Sequence, residues 1–508
     1  MRPYQKEDIV AIYESLMDSA YRYADKGKWL KALKDLESAA EWAYSFNWIY
    51  TDENAELLLK HISVEVIPQL EIQKPISSRC VLVDSFCMDN RGLTQQYLRA
   101  MMQNKMEVLY ICTSNDLNKG KDILRELDDY QGATTLLFEE QNLNKIEIAR
   151  TMVKEIVAYS PKHIFLHLLP RDTIALLACS SITGSCIYNI NLTDHAYWMG
   201  KTVIDYNIEF RPYGRTVSLE KRGFRVEQLL SLPFYPVNPL CHQLKGLPPV
   251  PKNAIKVFTG GSLYKMLGKD DIFFKIMGLV LSINPNVYIY VAGFDSSKLF
   301  DEKCSKIVDH ERIIPIGIRK DIDAVFDMCD IYLSTYPTSG GLMSQYAAKH
   351  GKPIIEYHDA NDVENATEEM VNHFQCSYSS FTDLAEMMAY AKRLIDDVSF
   401  RHSEGAILRK GLMNADRFSE SFMQMIRFHT TQWDWPKDTI DYEGFFKRYL
   451  ELENQNGFSA TSSLVRAQKL SLFLKLPGYR ENILFALLDV LKNLSIKHQI
   501  RKIVKRYA

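Results

Sequence analysis

The sequence has almost no net charge and no long apolar run, and both absences exclude classes of protein. Its 508 residues carry a formal net charge of −2, which is too small for a protein that binds nucleic acid by charge. No run of roughly 18 apolar residues predicts a membrane span, and the opening residues MRPYQKEDIV lack the apolar segment of a secretory signal. We therefore expect a cytoplasmic, soluble protein without a nucleic-acid partner.

Cysteine and metal-ligand patterns are also missing. The nine cysteines form no C-x-x-C pair and their number is odd, which argues against a disulfide framework and a structural zinc site. Asp321 and Asp323 have the spacing of a metal-binding motif, but they open a predicted helix, where Asp321 is better explained as the N-cap. No other cluster of His, Cys and Asp has metal-site spacing, so we expect chemistry without a metal ion or cofactor.

What is present is a chain whose periodicity changes several times. The first residues carry apolar side chains at three- and four-residue spacing, which predicts helices. Later, short apolar runs rich in β-branched residues alternate with helical segments, which predicts parallel sheets covered on both faces. Closely spaced prolines interrupt this alternation once. The predicted division is a helical domain at 1–75, a Rossmann-like domain at 76–235, a Pro-rich linker at 236–253, a second Rossmann-like domain at 254–430 and C-terminal helices at 431–508.

The predicted fold class is α/β, with two doubly wound domains that face a cleft and an N-terminal helical cap. Ligands of such sheets bind at the carboxyl ends of the strands. One such place is the turn Thr338–Gly341, between a predicted strand and a predicted helix. A helix start has free N–H groups that suit an anion, although an ordinary strand–helix turn is the alternative. Lys265 follows a second Gly/Ser turn after another strand, where a solvated surface lysine is the alternative.

Two segments of the second domain resemble a known family. They are VFTGGSLYKMLGKDDIFFKIMGLVLSINPNVYIYVAG (257–293) and IYLSTYPTSGGLMSQYAAKHGKPIIEY (331–357). They resemble the donor half of GT-B glycosyltransferases, above all the nucleocytoplasmic O-GlcNAc transferases and the bacterial cytoplasmic N-glucosyltransferases of adhesins. LTDHAYWMGKTVIDYNIEFR (192–211) resembles the end of the acceptor half of the bacterial members. The resemblance covers about residues 78–430.

The resemblance implies a UDP-sugar as donor substrate and a protein side chain or glycan as acceptor. Lys265 would be a catalytic cation that stabilises the charge on the leaving diphosphate. Gln345 stands where the family often has an acidic ribose ligand, so its role would be a hydrogen bond to a hydroxyl. The residues implied to bind the nucleotide sugar are Gly261, Ser262, Lys265, Gly293, Thr338, Ser339, Gly340, Gly341, Ser344 and Gln345.

The resemblance also bears on stereochemistry. Many retaining GT-B enzymes carry two glutamates eight positions apart around this loop, where the present sequence has Pro337 and Gln345. We therefore favour inversion, in which a base from the first domain deprotonates the acceptor. Asp194 and His195, in a loop after a predicted strand, are the preferred catalytic residues, although a packed His195 is an alternative. Other base candidates are Asp89 and His167, and His167 inside a strand is better explained as a core residue.

Two other functions share this architecture. A UDP-sugar 2-epimerase would need no acceptor, and a non-catalytic GT-B subunit would stabilise a partner glycosyltransferase. The N-terminal helices are predicted to hold a protein acceptor or a partner subunit. From Arg480 the sequence predicts an amphipathic helix that packs on the enzyme or, with its basic end, touches anionic lipid at the inner membrane face. The basic residues are Lys497, Arg501, Lys502, Lys505 and Arg506.

Overall fold

The computed structural model describes most of the chain. Its residues 3–90, 93–114, 116–138, 143–238, 245–295, 297–359, 367–374, 380–455, 459–467 and 487 form a helical N-terminal unit, two main parallel sheets and a C-terminal group of helices. None of the helices within these ranges is long and apolar enough to cross a membrane. The basic end of the predicted C-terminal amphipathic helix lies outside the described residues.

Three helices form the N-terminal unit. They are α1 Lys6–Ala24, α2 Trp29–Phe46 and α3 Glu53–Val66. Gly27, with φ +64°, makes the left-handed turn between the first two. Asp52 begins α3, because its carboxylate accepts the N–H of Asn54 at 2.8 Å. The apolar faces of the three helices are buried together against the first sheet domain.

The first main sheet contains seven strands, and a separate pair lies beside it. The seven are β2 Ile76–Asp84, β3 Glu107–Cys112, β4 Ala133–Leu137, β5 Pro161–His167, β7 Cys186–Ile190, β8 Tyr206–Glu209 and β9 Leu229–Ser231; β1 Leu70–Glu71 pairs with β6 Ile182–Thr183. All seven are parallel, in the order β4-β3-β2-β5-β7-β8-β9. The direction of winding therefore reverses between β2 and β5, as in doubly wound folds.

The strand β8 is missing from the sequence prediction for a physical reason. Asn207 and Glu209 interrupt its apolar run, yet both are fully buried. The Asn207 amide donates to Glu209 Oε1 at 2.5 Å, and the amide of Asn191 on the neighbouring loop donates to the same carboxylate at 3.0 Å. Buried polar residues that satisfy one another look like surface residues in a sequence.

The second main sheet has five parallel strands. They are β10 Ile255–Gly260, β11 Val287–Ala292, β12 Ile313–Gly317, β13 Ile331–Leu333 and β14 Ile354–Ile355, in the order β12-β11-β10-β13-β14. Winding reverses between β10 and β13. Alternate residues of β10 enter different cores, Val257 on one face and Phe258 on the other, so the sheet is covered on both faces. Two doubly wound domains and a helical cap confirm the predicted fold class.

Helices connect the strands of both sheets. Those of the first domain are α4 Thr94–Gln103, α5 Lys121–Asp128, α6 Lys145–Tyr159, α7 Thr173–Cys179 and α8 Pro212–Glu220. Those that follow are α9 Ile272–Ile283, α10 Lys298–Cys304, α11 Ile322–Met328, α12 Gly341–Lys349, α13 Thr367–Val371, α14 Leu384–Asp396, α15 Val398–Gly411, α16 Ala415–Phe428, α17 Tyr442–Gln455 and α18 Ser459–Arg466.

The proline-rich linker and the two residues before it are held by both domains. Its described residues form no helix or strand. The carbonyl of Tyr235 accepts from Gln96 of α4 at 2.8 Å, whereas those of Phe234 and Val237 accept from Gln345 and Tyr346 of α12 at 3.1 and 2.6 Å. These hydrogen bonds tie both domains to one short stretch of backbone.

The last helices return to the N-terminal half. On α16, Phe418 and Phe422 pack edge-on against Tyr97 of α4, although the predicted boundary at residue 430 assigns this helix to the second domain. The apolar face of α16 lies in one core cluster with α4 of the first domain, and the domain boundary at residue 430 stays a prediction. Both α17 and α18 pack against α2. The chain thus crosses from the second domain back to the first before its end.

Candidate active site

Two loops of the second domain meet at its topological switch point. One follows β10 and carries Gly261, Ser262 and, in a short 3₁₀ helix, Lys265. The other follows β13 and ends in Thr338–Gly341 at the start of α12. Because β10 and β13 are neighbours, the loops lie side by side, and Lys265 Nζ donates to the Ser339 carbonyl at 3.2 Å. The structure thus brings together two predicted groups 74 residues apart, where ligands of such folds bind.

The start of α12 has the properties of an anion site. Gly340 occupies the N-cap position, and no side chain caps the helix there. The first N–H groups of a helix have no partner within it, and the helix dipole is positive at that end. A β-carbon on Gly340 would lie 3.2 Å from the Tyr332 hydroxyl, so a larger residue has little room. The binding of an anion by this turn stays a prediction.

Gly293, directly after β11, packs against the loop that carries Gly261. Its φ is +115°, and a β-carbon there would lie 2.2 Å from the Gly261 carbonyl oxygen. Only glycine lets the backbone after β11 approach the Gly261 loop this closely. Packing therefore explains Gly293, and its contact with a nucleotide stays a prediction.

Ser344 and Gln345 are fully buried on α12. The Gln345 amide nitrogen donates to the carbonyls of Phe234 and Met370, both at 3.1 Å. The sequence predicts that this amide holds a ribose. In the structure it ties α12 to the chain before the linker and to α13, because Gln345 lies on the helix face turned toward them. The Ser344 hydroxyl has no hydrogen-bond partner among the described residues.

A second cation reaches the turn from the C-terminal helices. Arg448 of α17 donates to the Thr338 hydroxyl at 2.8 Å and to the Pro337 carbonyl at 3.3 Å. Lys265 and Arg448 therefore contact residues 337–339 from different parts of the chain. No local motif in the sequence marks Arg448, which lies 110 residues from Thr338 along the chain.

On the first domain, His195 and Asp194 form a hydrogen-bonded pair in the loop after β7. His195 Nδ1 lies 3.2 Å from Asp194 Oδ1, and 26% of the His195 side chain is exposed whereas Asp194 is buried. Arg211 donates to both Asp194 oxygens, at 2.6 and 3.2 Å. Burial would raise the pKa of Asp194, but the charge of Arg211 and the hydrogen bonds lower it to about 2. Asp194 is thus a fixed anion that can orient the imidazole.

Two buried residues hold this loop in place. Arg222 donates to the carbonyls of Thr193, Asp194 and Ala196 at 3.2, 2.9 and 2.8 Å. Asn47, after α2, donates to the His195 carbonyl at 2.8 Å and accepts from the Tyr197 N–H at 3.1 Å. The helical cap therefore positions His195. Neither contact has a sequence signal, because both depend on the folded chain.

The two halves also contact each other through Arg211 and through α17. Arg211, after β8 in the first sheet, lies 3.9 Å from Glu369 of α13 in the second domain. Helix α17 makes the other link, since the Tyr449 ring lies 6.3 Å from the His195 ring while the adjacent Arg448 contacts Thr338. The predicted acceptor-side and donor-side residues are therefore on either side of one helix.

The other predicted bases are occupied within the protein. His167 and Asp84 form a fully buried pair at 3.1 Å, at the ends of β5 and β2, so the core interpretation of His167 agrees with the structure. The Asp89 carboxylate accepts the N–H groups of Asp122 and Ile123 at 2.9 and 3.0 Å, at the start of α5. His167 is fully buried, whereas Asp89 is partly exposed, as His195 is.

The acidic motif is not a metal site. Arg319 binds both Asp321 oxygens at 2.7 and 2.6 Å, and Asp323 pairs with Lys349 and His350. Asp321 precedes α11, but its carboxylate makes no cap hydrogen bond, which corrects the predicted capping. In the described ranges no group of His, Cys, Asp and Glu is arranged to hold a metal ion.

Glu356, after β14, is a buried acid that the sequence analysis does not single out. Its carboxyl group is fully buried beside the hydroxyls of Ser334 and Thr367, which hydrogen-bond with it. Burial raises the pKa of Glu356 well above its ordinary value, and the charge of Glu368 adds to this effect. The folded protein therefore keeps the Glu356 proton to a higher pH than the unfolded chain does.

Removing this proton site is expected to change how stability depends on pH. In the unfolded chain the Glu356 carboxyl has a pKa of about 4.3. Below that pH the carboxyl is protonated in both states, so it does not make the free energy of unfolding depend on pH. Above that pH the unfolded chain has released the proton that the folded chain still binds, so stability falls with pH. Glu356→Gln should remove up to about 1.4 kcal/mol per pH unit of this loss. Urea unfolding between pH 5 and pH 8 measures it.

The control is Glu302→Gln, an exposed glutamate on α10. It should follow the wild type at every pH. Parallel stability curves for Glu356→Gln and the wild type would show that Glu356 is ionised in the folded protein.

Comparison with known proteins gives distant structural similarity. No protein-family model matches the sequence, and no curated protein matches it significantly. A mutant O-GlcNAc transferase of Thermobaculum terrenum is 15% identical, with 86% of this chain and 85% of that chain covered and a TM-score of 0.48. Anabaena HepE with UDP and glucose is 12% identical (68% and 99% covered, TM-score 0.49), and a Rickettsia africae glycosyltransferase is 12% identical (69% and 97% covered, TM-score 0.48).

Similarity this distant identifies neither a substrate nor an active-site residue. The strand order of the two sheets establishes the architecture. Each sheet is doubly wound, because its winding reverses between β2 and β5 in the first sheet and between β10 and β13 in the second. The chain therefore has the two-domain GT-B architecture that its sequence resembles.

Proposed function

We propose that this chain is a cytoplasmic glycosyltransferase that moves a sugar from a UDP-sugar to a protein side chain or glycan, without a metal ion and with inversion. The observation that carries the proposal is the position of α17. Its Arg448 contacts the turn that Lys265 also contacts, and its Tyr449 faces His195. A cationic anion site and a histidine–aspartate pair thus share one region between the domains.

On the donor side, the residues suit a diphosphate leaving group. Negative charge grows on this group as its bond to the sugar breaks. Lys265, Arg448 and the first N–H groups of α12 are fixed before the reaction, and preorganised donors of this kind stabilise developing charge. When a donor binds at this turn, its diphosphate would replace Thr338 as the hydrogen-bond partner of Arg448. It would also replace the Ser339 carbonyl as the partner of Lys265.

On the acceptor side, His195 acts as the general base. Asp194 fixes its Nδ1, which leaves Nε2 to take the proton of the acceptor group as that group attacks the anomeric carbon. The bond from the anomeric carbon to the diphosphate breaks in the same step, and UDP leaves. Glu369 contacts Arg211, so the packing of the second domain also affects the Asp194–His195 pair.

The decisive experiment is nucleotide binding by thermal shift and calorimetry, followed by turnover. UDP and one UDP-sugar should raise the melting temperature, since both bind only the folded protein. Lys265→Ala should weaken UDP binding and lower kcat/KM by about 10²- to 10³-fold, as loss of one charge-stabilising group does. Lys306→Ala, an exposed lysine of the same domain, should have no effect.

Other outcomes distinguish the alternatives. Unchanged UDP binding and transfer in Lys265→Ala would refute the role of that lysine. Consumption of UDP-sugar without UDP release would identify an epimerase. UDP binding without turnover on any saccharide or peptide acceptor would identify a non-catalytic subunit. NMR of the product anomer would separate inversion from retention.

A further inference from the structure

A pocket that the proposed site does not use lies beside the His195 loop. It has a volume of about 490 Å³ and lies between the α2–α3 loop, the end of α8 and the start of α17. Its lining includes Trp48, Thr51, Lys221, Tyr442 and Glu443. The volume is in the range that holds a small organic ligand.

The pocket and the candidate base share a wall and a helix face. Asn47, which lines the pocket, donates to the His195 carbonyl at 2.8 Å. Tyr442 and Phe446 line it from α17, and Tyr449, on the same face at four- and three-residue spacing, lies against the His195 ring. Phe446 stands three residues before Tyr449, which is about 5 Å along the helix, so the pocket lining begins near the base.

The chemistry of the lining is that of a saccharide site. A sugar ring has an apolar face of C–H groups and a rim of hydroxyls. Trp48 offers aromatic surface, whereas the Tyr442 ring carries the Lys221 ammonium 4.1 Å from its centroid. The buried Thr51 hydroxyl has no hydrogen-bond partner among the described residues. Lys6 and Glu443 form an ion pair at 3.7 Å on the rim, near the exposed Lys221, so charges of both signs surround the pocket. This arrangement suits a neutral ligand with hydroxyl groups better than a charged peptide.

We propose that this pocket is an acceptor subsite for a saccharide, whose terminal residue would extend along α17 to His195. The inference rests on the proposed function and narrows its acceptor to a glycan. The catalytic pair would deprotonate the terminal hydroxyl, while the preceding sugar residue binds in the pocket. The pocket would therefore contribute to acceptor affinity and not to donor affinity.

The test is saturation-transfer NMR in the presence of UDP with three probes: cellobiose, lactose and N,N′-diacetylchitobiose. At least one should bind the wild type. Trp48→Ala should weaken it at least tenfold and Trp48→Phe less than threefold, because phenylalanine keeps an aromatic face. Glu443→Gln, an exposed change that leaves the core intact, should weaken it at least threefold. Lys306→Ala is the matched surface control, and UDP affinity should be the same in all variants.

Three outcomes would overturn the subsite. They are binding of none of the disaccharides, equal binding in Trp48→Ala, and binding of Ser-, Thr- or Asn-containing hexapeptides in their place. UDP calorimetry on the same samples separates this inference from the proposed function. UDP binding without disaccharide binding refutes only the subsite, whereas absence of UDP binding refutes the proposed function itself.

Discussion

Replacing His195 by alanine is expected to lower kcat by about 10²- to 10⁴-fold, the usual contribution of a general base, and to leave UDP affinity unchanged. The imidazole combines partial exposure with a fixed orientation through Asp194. Its backbone is held by Asn47 and Arg222 through carbonyls of the loop, so the substitution should not displace the loop. Steady-state kinetics with saturating donor measure the effect.

The matched control is His402→Ala, an exposed histidine on α15. It should keep the wild-type kcat. A His195→Ala variant with kcat within twofold of the wild type would mean that the base lies elsewhere, and the partly exposed Asp89 would then be the next candidate.

Replacing Asp194 by alanine is expected to lower the free energy of unfolding by about 3–5 kcal/mol, because it leaves a buried charge without its main partner. Arg211 is 8% exposed and donates two hydrogen bonds to this carboxylate. Another acidic neighbour, Glu369, is 3.9 Å away, and burial raises the pKa of its carboxyl group well above the ordinary value. The same change removes the group that orients His195, so kcat should also fall. Denaturant unfolding measures the first effect and kinetics the second.

The chain offers a matched control in another Asp–Arg pair. Asp434 pairs with Arg215 at 3.5 Å, but its side chain is 99% exposed, so Asp434→Ala should leave stability unchanged, as is typical of surface ion pairs. The pKa of Asp194 is lowered to about 2, below the ordinary value of about 3.9. Its stabilisation is therefore full above pH 4 and lost as pH falls through 2. Equal stability of Asp194→Ala and the wild type at pH 7 would contradict the buried ion pair.

The sequence predicts the parts of the site that are local. Lys265 stands three residues after Ser262 in a turn that ends a strand, and Thr338–Gly341 stands between a strand and a helix. These signals depend only on neighbours in the chain, namely periodicity that marks a strand and small residues that mark its end. The loop of Asp194 and His195 is found in the same way. That the two turns lie side by side follows from the doubly wound order, which alternation of strands and helices predicts.

Residues that act across the chain could not be found in this way. In the sequence, Arg448 is indistinguishable from other residues of an amphipathic helix. Arg211 and Arg222 follow β8, a strand that hydrophobic periodicity does not predict because its Asn207 and Glu209 are polar yet buried. The position of Gln345 after the small-residue turn predicts contact with a ligand. In the structure its side-chain amide donates to the backbone carbonyls of Phe234 and of Met370 in α13. Which face of α12 turns toward the linker depends on domain packing, and sequence spacing cannot supply that.

The sequence by itself determined two doubly wound domains, a helical cap and two small-residue turns, because hydrophobic period and turn residues act over a few positions. Only the tertiary structure decided that α16 packs on the first domain and that α17 lies between His195 and the Thr338 turn. Those contacts form between segments more than 100 residues apart, where burial of apolar faces, and not local propensity, sets the partner.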